Sequence, residues 1–321
     1  MKILKLAAAL TVMLAATTTA WSADKYPERA IRLVVPFPAG STTDTMARFL
    51  SDQVRADLGQ TLVVENKAGA QGSIAAAEVS RATPDGYTLL VGTNSTQSAN
   101  IHLFKKLSYD PAKDFTAITQ FSMNPLVLVV RPDLPVTNLR EFLDYAKSQP
   151  GQLNYGVGNT GSLAAVQMLK SITGIDAMDI QYAGTPQAIT DLIAGRLDFM
   201  ITDISVTKPY IEAGKLRALG VTPIKTTSAL PGVPTLAEAG LTGYEFVAWG
   251  GLFAPAGTDP VIVDRINKAF VKALNSPQAA EFFSKQGLEP TPRTPADFAD
   301  YVTAQTDMWG KLLADAGQPK K

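Results

Sequence analysis

Short runs of branched apolar residues alternate with amphipathic segments along most of this chain, and that alternation restricts it to an α/β architecture. The spacing predicts strands over 31–35, 61–65, 88–92, 115–118, 126–130, 153–155, 180–182, 199–202 and 216–221. It predicts helices over 43–58, 74–81, 138–149, 162–172, 186–194, 206–213, 260–275, 276–285 and 295–316. In the first helix Met46, Phe49, Leu50 and Val54 recur at helical spacing, the stripe that packs on a sheet. The tail after Val261 has too few strand-like runs for a sheet of its own, so it must pack on an earlier one. Asn124 to Gly243, by contrast, holds a complete strand–helix series. At 321 residues two domains are expected. We therefore expect one discontinuous lobe, 23–123 plus 248–321, and a second lobe, 124–247. The crossings fall near 122–125 and 243–248.

The first strand breaks into Pro38-Ala39-Gly40-Ser41-Thr42-Thr43-Asp44, where a helix begins. A helix start offers unpaired N–H groups and the positive end of a dipole, so this turn can cradle an anion. Gly40 permits close approach to the backbone, and Ser41, Thr42 and Thr43 add hydroxyls. A second turn of the same design lies at Tyr155-Gly156-Val157-Gly158-Asn159-Thr160-Gly161-Ser162. Two such turns suggest a ligand gripped from both sides. Each helix end contributes roughly 0.3–1 kcal/mol to holding an anion, about 2 when partly buried. Micromolar binding needs about 8 kcal/mol. Charge-assisted hydrogen bonds and closure of the lobes must supply the rest.

Gly156-x-Gly158-x-x-Gly161 also matches the dinucleotide fingerprint, which makes a nucleotide-dependent oxidoreductase the main competitor. That fingerprint needs an acid at the end of the next strand to hold the ribose. Asp176 and Asp179 lie before the predicted strand, at the wrong end. A hydrolase using a serine of these loops is a further enzymatic reading. His102 is the one histidine, set among apolar neighbours and read as structural, and cysteine is absent. A multi-histidine metal site cannot be built, and we expect neither metal nor cofactor.

Lys2 and Lys5 precede an apolar run over 6–16 and a small-x-small site at Ala20-Trp21-Ser22, the pattern of a signal peptide over 1–22. The run is too short to span a bilayer comfortably, so export to the periplasm is expected. Lack of cysteine removes both disulfides and a lipid-attachment thiol, so the chain is expected to be soluble in the periplasm, and a monomer is expected. Removing Lys2 and Lys5 takes the 29 basic residues to 27 against 29 acidic ones, a formal charge of −2. That gives no basis for nucleic acid or an anionic membrane as partner.

Val35-Pro36-Phe37-Pro38-Ala39-Gly40-Ser41-Thr42-Thr43-Asp44 resembles the first ligand loop of the tripartite tricarboxylate transporter substrate-binding proteins, the Bug family. The resemblance continues in order through Val64-Glu65-Asn66-Lys67-Ala68-Gly69-Ala70-Gln71-Gly72, Pro84-Asp85-Gly86-Tyr87-Thr88-Leu89 and Leu107-Ser108-Tyr109-Asp110-Pro111-Ala112-Lys113-Asp114-Phe115. It reaches Val233-Pro234-Thr235-Leu236-Ala237-Glu238-Ala239-Gly240 and Ala254-Pro255-Ala256-Gly257-Thr258. It implies a two-lobed periplasmic binding protein fold, type II-like, with the ligand in the interlobe cleft. It implies capture of a small organic acid, a di- or tricarboxylate or an aromatic acid, for delivery to membrane transporter subunits. Carried over residue by residue, the ligand loops fall on Phe37 and Ala39, Gly40, Ser41, Thr42 and Thr43 in one lobe. In the other they fall on Gly158, Asn159, Thr160, Gly161 and Ser162. Ser41 stands where the family commonly has a second glycine, and Leu163-Ala164-Ala165-Val166 lacks the family's frequent histidine. The order at Thr202-Asp203 is also shifted from the family's frequent one.

Four further residues carry two readings each. Asp44 beside a bound carboxylate would repel it, so we read it as support for the loop, bonding back as in a capping box. Asp203 either faces the cleft, favouring ligands with an amine, hydroxyl or protonated acid, or lies on the surface. Ser95, with Thr93, either contacts ligand at a strand's carboxyl end or forms a hydroxyl-rich turn. Trp249 lines the cleft or packs the hinge. A ligand-sensing partner of a membrane signalling protein would use the same site.

Overall fold

The computed structural model describes residues 26–315 and residue 320. The predicted signal peptide over 1–22 and the last residue of the predicted final helix lie outside the described residues. In chain order come β1 (Ile31–Val35), α1 (Thr42–Leu58), β2 (Leu62–Asn66), α2 (Ser73–Val79) and β3 (Thr88–Thr93). A π-helical turn, Ser95–Ala99, runs into α3 (Asn100–Leu103). Next are β4 (Phe115–Val130), α4 (Leu139–Ser148), β5 (Leu153–Val157), α5 (Thr160–Thr173), β6 (Ala177–Gln181), α6 (Thr185–Ile193), β7 (Phe199–Asp203), α7 (Ile204–Glu212) and β8 (Arg217–Val221). Then follow β9 (Val247–Pro255), α8 (Pro260–Leu274), α9 (Pro277–Gln286), β10 (Glu289–Pro290) and α10 (Pro295–Asp315).

The strands form one curled sheet in the order β2-β1-β3-β9-β4-β7-β5-β6, with β8 and β10 joined to β4. Each end of the sheet has its own core, which makes the molecule two-lobed. Ile31, Leu33, Leu50, Val54, Phe270 and Phe283 are among the buried residues of one core. Leu128, Phe142, Tyr155, Leu169 and Phe199 belong to the other. Parallel strands β1, β2 and β3 and parallel β5 and β6 sit at opposite ends. Between them β4 and β9 run antiparallel, from the Phe115–Pro255 pair to the Pro125–Val247 pair. Helix α10 packs Phe298 and Tyr301 beside Trp249 and Phe253, and carries Trp309 and Leu313 into the core that holds Phe142 and Tyr155.

Several elements differ from the sequence expectation. The predicted strands over 115–118 and 126–130 are one continuous 16-residue strand, β4. Its middle, which reads as a crossing because Ser122, Asn124 and Pro125 are weak strand formers, is held in extended form by pairing with β9. That partner strand was not predicted, because Gly250-Gly251 reads as a break. In the fold those glycines make room for aromatic rings: a Cβ on Gly250 would lie 2.7 Å from Phe121, and one on Gly251 would strike Phe298. The segment Ser95–Leu103 also escapes prediction. Its residues over 95–100 are polar or small yet almost fully buried, so no apolar stripe marks the helix. Finally, the predicted strand over 180–182 is Ala177–Gln181, an edge strand with Met178 and Ile180 exposed.

Candidate ligand-binding site

The two helix starts singled out in the sequence meet at a cavity of about 20 Å³ between the lobes. Phe37, Ser41, Thr42 and Thr43 line it at the start of α1, with Thr93, Asn94 and Ser95 at the end of β3. Asn159, Thr185 and Asp203 face them from the starts of α5, α6 and α7. Asn124, Ala248 and Trp249 close it from the β4–β9 pair. The lining is polar, and none of it is Lys, Arg or His.

Local hydrogen bonds hold each loop in place. Ser41 caps α1 by accepting from the Asp44 N–H at 3.3 Å. The Asp44 carboxylate reaches back to accept the Gly40 N–H at 3.0 Å, which Gly40 can present at φ +79°. Asn66 donates to that carboxylate at 2.9 Å and to the Phe37 carbonyl at 2.9 Å, tying β2 to the loop. Arg48 adds an ion pair at 2.9 Å. Burial alone would raise the Asp44 carboxyl, but Arg48, the Gly40 N–H and Asn66 together hold it below the usual range. Its lone pairs are engaged within the loop, as a support rather than a wall of the cavity.

The second loop is tied to the first lobe directly. Asn159 caps α5, accepting the Ser162 N–H at 2.8 Å. The Thr160 N–H donates to Ser95 Oγ at 3.3 Å, and Thr160 Oγ1 donates to Asn100 Oδ1 at 3.2 Å. Asn100, fully buried, in turn donates to the Gln71 carbonyl at 3.0 Å and to Ser73 Oγ at 3.1 Å. Thr42 Oγ1 and Ser205 Oγ share a further hydrogen bond at 2.7 Å across the cleft.

Of the predicted residues, Phe37, Ser41, Thr42, Thr43, Ser95, Asn159 and Asp203 reach the cavity, as do Thr93 and Trp249. The rest stand behind or outside it. Gly40 and Ala39 are exposed and do not line it. Gly158 packs on the start of α6, where a Cβ would lie 2.5 Å from the Thr185 nitrogen. Thr160 is occupied by Ser95 and Asn100, and Ser162 is fully buried behind its cap. Gly161 lies just behind the wall, where a Cβ would come within 3.0 Å of Asn159 Oδ1 and 3.3 Å of Asn94 Nδ2. Asn94, Asn124, Thr185 and Ala248 were missed. Asn94 sits between two residues the sequence did single out, and Thr185 follows a third glycine turn, Ala183-Gly184. Asn124 and Ala248 lie inside paired strands and give no local signal.

Two features make this wall reactive toward a solute. Thr93 Oγ1, Asn94 Nδ2 and Asn124 Oδ1 are buried without a hydrogen-bond partner, a rare condition in protein interiors. Asp203 stands at the N-cap of α7, yet its side chain does not cap the helix. Burial pushes its carboxyl up to about 6, with Asn159 and Thr42 easing the charge only in part.

The dinucleotide reading loses its geometry here. Thr185 fills the space above Gly158 that a pyrophosphate would need. Asp179 lies within β6 rather than beyond its end and is exposed. His102 bonds the Thr306 carbonyl at 3.0 Å, far along the chain from either loop. Among the described residues no cluster of three or more acidic or histidine side chains could hold a metal, and no helix is long and apolar enough to cross a membrane.

Comparison with known proteins agrees with this geometry. Residues 46–318 match the model of the tripartite tricarboxylate transporter family receptor. Protein BugT of Bordetella pertussis is 33% identical over 303 residues, covering 94% of this chain and 93% of its own. The structure of R. palustris Rpa4515 with adipate has a TM-score of 0.89 at 35% identity, covering 91% of this chain and 98% of its own. MatC from Rhodopseudomonas palustris with bound malate has a TM-score of 0.85 at 35% identity, covering 90% and 100%.

Proposed function

This chain belongs to the tripartite tricarboxylate transporter receptor family, and from that premise we propose that it is a periplasmic receptor for a small organic carboxylate. The observation that carries the reading is the convergence of the α1 and α5 starts on one polar cavity with unpartnered donors and no cation. Backbone dipoles, hydroxyls and the Asn94 amide can hold a carboxylate there while water is excluded. Relatives with adipate and with malate support that ligand class. The chain does no chemistry in this account. It is exported by the signal peptide over 1–22, acts as a monomer, closes on the acid and presents the closed form to membrane transporter subunits. The lobes are 23–123 plus 248–321 and 124–247, with the β4–β9 pair as the hinge and α10 lying along it. The clamp residues are Phe37, Ser41, Thr42, Thr43, Ser95 and Asn159, joined by Asn94, Thr185 and Asp203. Ala39, Gly40, Gly158, Thr160, Gly161 and Ser162 shape the loops behind them.

Thermal-shift measurement against adipate, malate, benzoate and NAD tests the reading. A ligand that binds only the folded form at a hundred times its Kd adds about 2.7 kcal/mol of stability, which a melting curve resolves. At least one acid should raise Tm and NAD should not. Stabilisation by NAD with no response to the acids would return the dinucleotide enzyme.

A further inference from the structure

Asp203 is an awkward neighbour for an anion. It is 6% exposed, lines the same 20 Å³ cavity as the start of α1, and its carboxylate does not cap α7. No Lys, Arg or His in the lining offsets its charge. The Arg48–Asp44 ion pair is engaged in the loop behind Ser41 and does not line the cavity. On the strand that pairs Leu126 with Asp203, the Asn124 side-chain oxygen is an acceptor without a partner in the same lining. The unpartnered donors, Asn94 Nδ2 and Thr93 Oγ1, come from the opposite lobe, at the end of β3. The wall therefore has a donor side and an acceptor side.

From this division, and resting on the carboxylate reading above, we propose that Asp203 selects acids carrying a hydrogen-bond donor close to the bound carboxylate: a hydroxyl, an ammonium or a second, undissociated carboxyl group. The ligand carboxylate takes the donor side, at Asn94 and the start of α1. The donor on the neighbouring carbon gives its hydrogen to Asp203, with Asn124 Oδ1 able to accept a second. A fully ionised acid without such a group brings two like charges together in a desolvated space and leaves Asn124 Oδ1 unpaired. The protonated-acid route opens at mildly acidic pH, where one proton can be shared between the ligand's second carboxyl and Asp203, the titratable side chain of the lining among the described residues.

Titration calorimetry at pH 8 with succinate, malate and aspartate, and with propionate, lactate and alanine, tests this. In each trio the hydroxy or amino acid should bind at least about tenfold more tightly than the plain acid. Malate and lactate ahead would identify a hydroxyl donor, aspartate and alanine ahead an ammonium. Succinate affinity should rise as pH falls from 8 to 5 in the native protein, where the second carboxyl can keep its proton. Asp203→Asn, which keeps the shape, should narrow the preference within each trio and flatten the succinate pH profile. Equal affinities within both trios at pH 8 would overturn the proposal while leaving carboxylate capture standing. So would a preference unchanged in Asp203→Asn. Failure of every acid to bind at any pH would instead overturn the carboxylate reading itself.

Discussion

Two carboxylates near the cleft are shifted in opposite directions, and their surroundings say why. Asp203 is buried without a cation, so its folded-state value is about 6 against 3.8 when unfolded. A raised carboxyl contributes its full stability below the unfolded value and loses it as pH rises through the folded one. At neutral pH the buried charge then costs about 3 kcal/mol, at 1.36 kcal/mol per unit. We expect Asp203→Asn to raise stability in urea unfolding at pH 7.5, by up to about 3 kcal/mol, and to remove the fall between pH 4 and 6. Asp44 behaves the other way. Its depressed carboxyl contributes stability that is present above the unfolded value and lost as pH falls through the folded one. Asp44→Ala leaves the Gly40 N–H and the Asn66 amide without that acceptor. It should cost roughly 1–3 kcal/mol at pH 7, and the difference from the native chain should shrink at pH 3. An equal loss at both pH values would show that packing, not charge, is the cause.

Among the elements, those built on periodic apolar residues were legible and those built on shape were not. The α1 stripe and the β1 and β7 runs announce themselves because burial needs branched residues at fixed spacing. The Ser41 cap and the Asp44 return bond were legible for the same local reason: both partners lie within four residues. Strand β9 was hidden because its glycines answer to rings far away in sequence, Phe121 and Phe298. The π-helical turn that carries Ser95 was hidden because its polar side chains are buried by the tertiary fold. Asn94 and Asn124 shared that fate, so the donor side of the cavity was read without its amide and the acceptor side only through Asp203. The β9 account makes its own prediction. Gly251→Ala should drive a methyl group into the Phe298 ring and cost about 1–3 kcal/mol as overpacking. Pairing it with Phe298→Leu should recover part of that loss in thermal unfolding. Additive losses would place the strain elsewhere.

At the scale of the molecule, one curled sheet has a core at each end and a polar cavity between them, and the β4–β9 pair and α10 run from one end to the other. Helix dipoles alone fall short of micromolar affinity, so the account requires both lobes to act on the ligand together. Gly161 tests that requirement most directly, because it starts α5 in one lobe and lies 3.3 Å, at its Cβ position, from Asn94 of the other. An aspartate in the first turn of a helix suits the dipole, so Gly161→Asp should fold while putting charge and bulk against the acid. Calorimetric titration of the native protein and Gly161→Asp with malate and adipate is the decisive comparison. The account predicts saturable one-to-one binding of at least one acid to the native protein and none to a variant of unchanged circular dichroism. Equal affinity in the two proteins would contradict a clamp between the lobes.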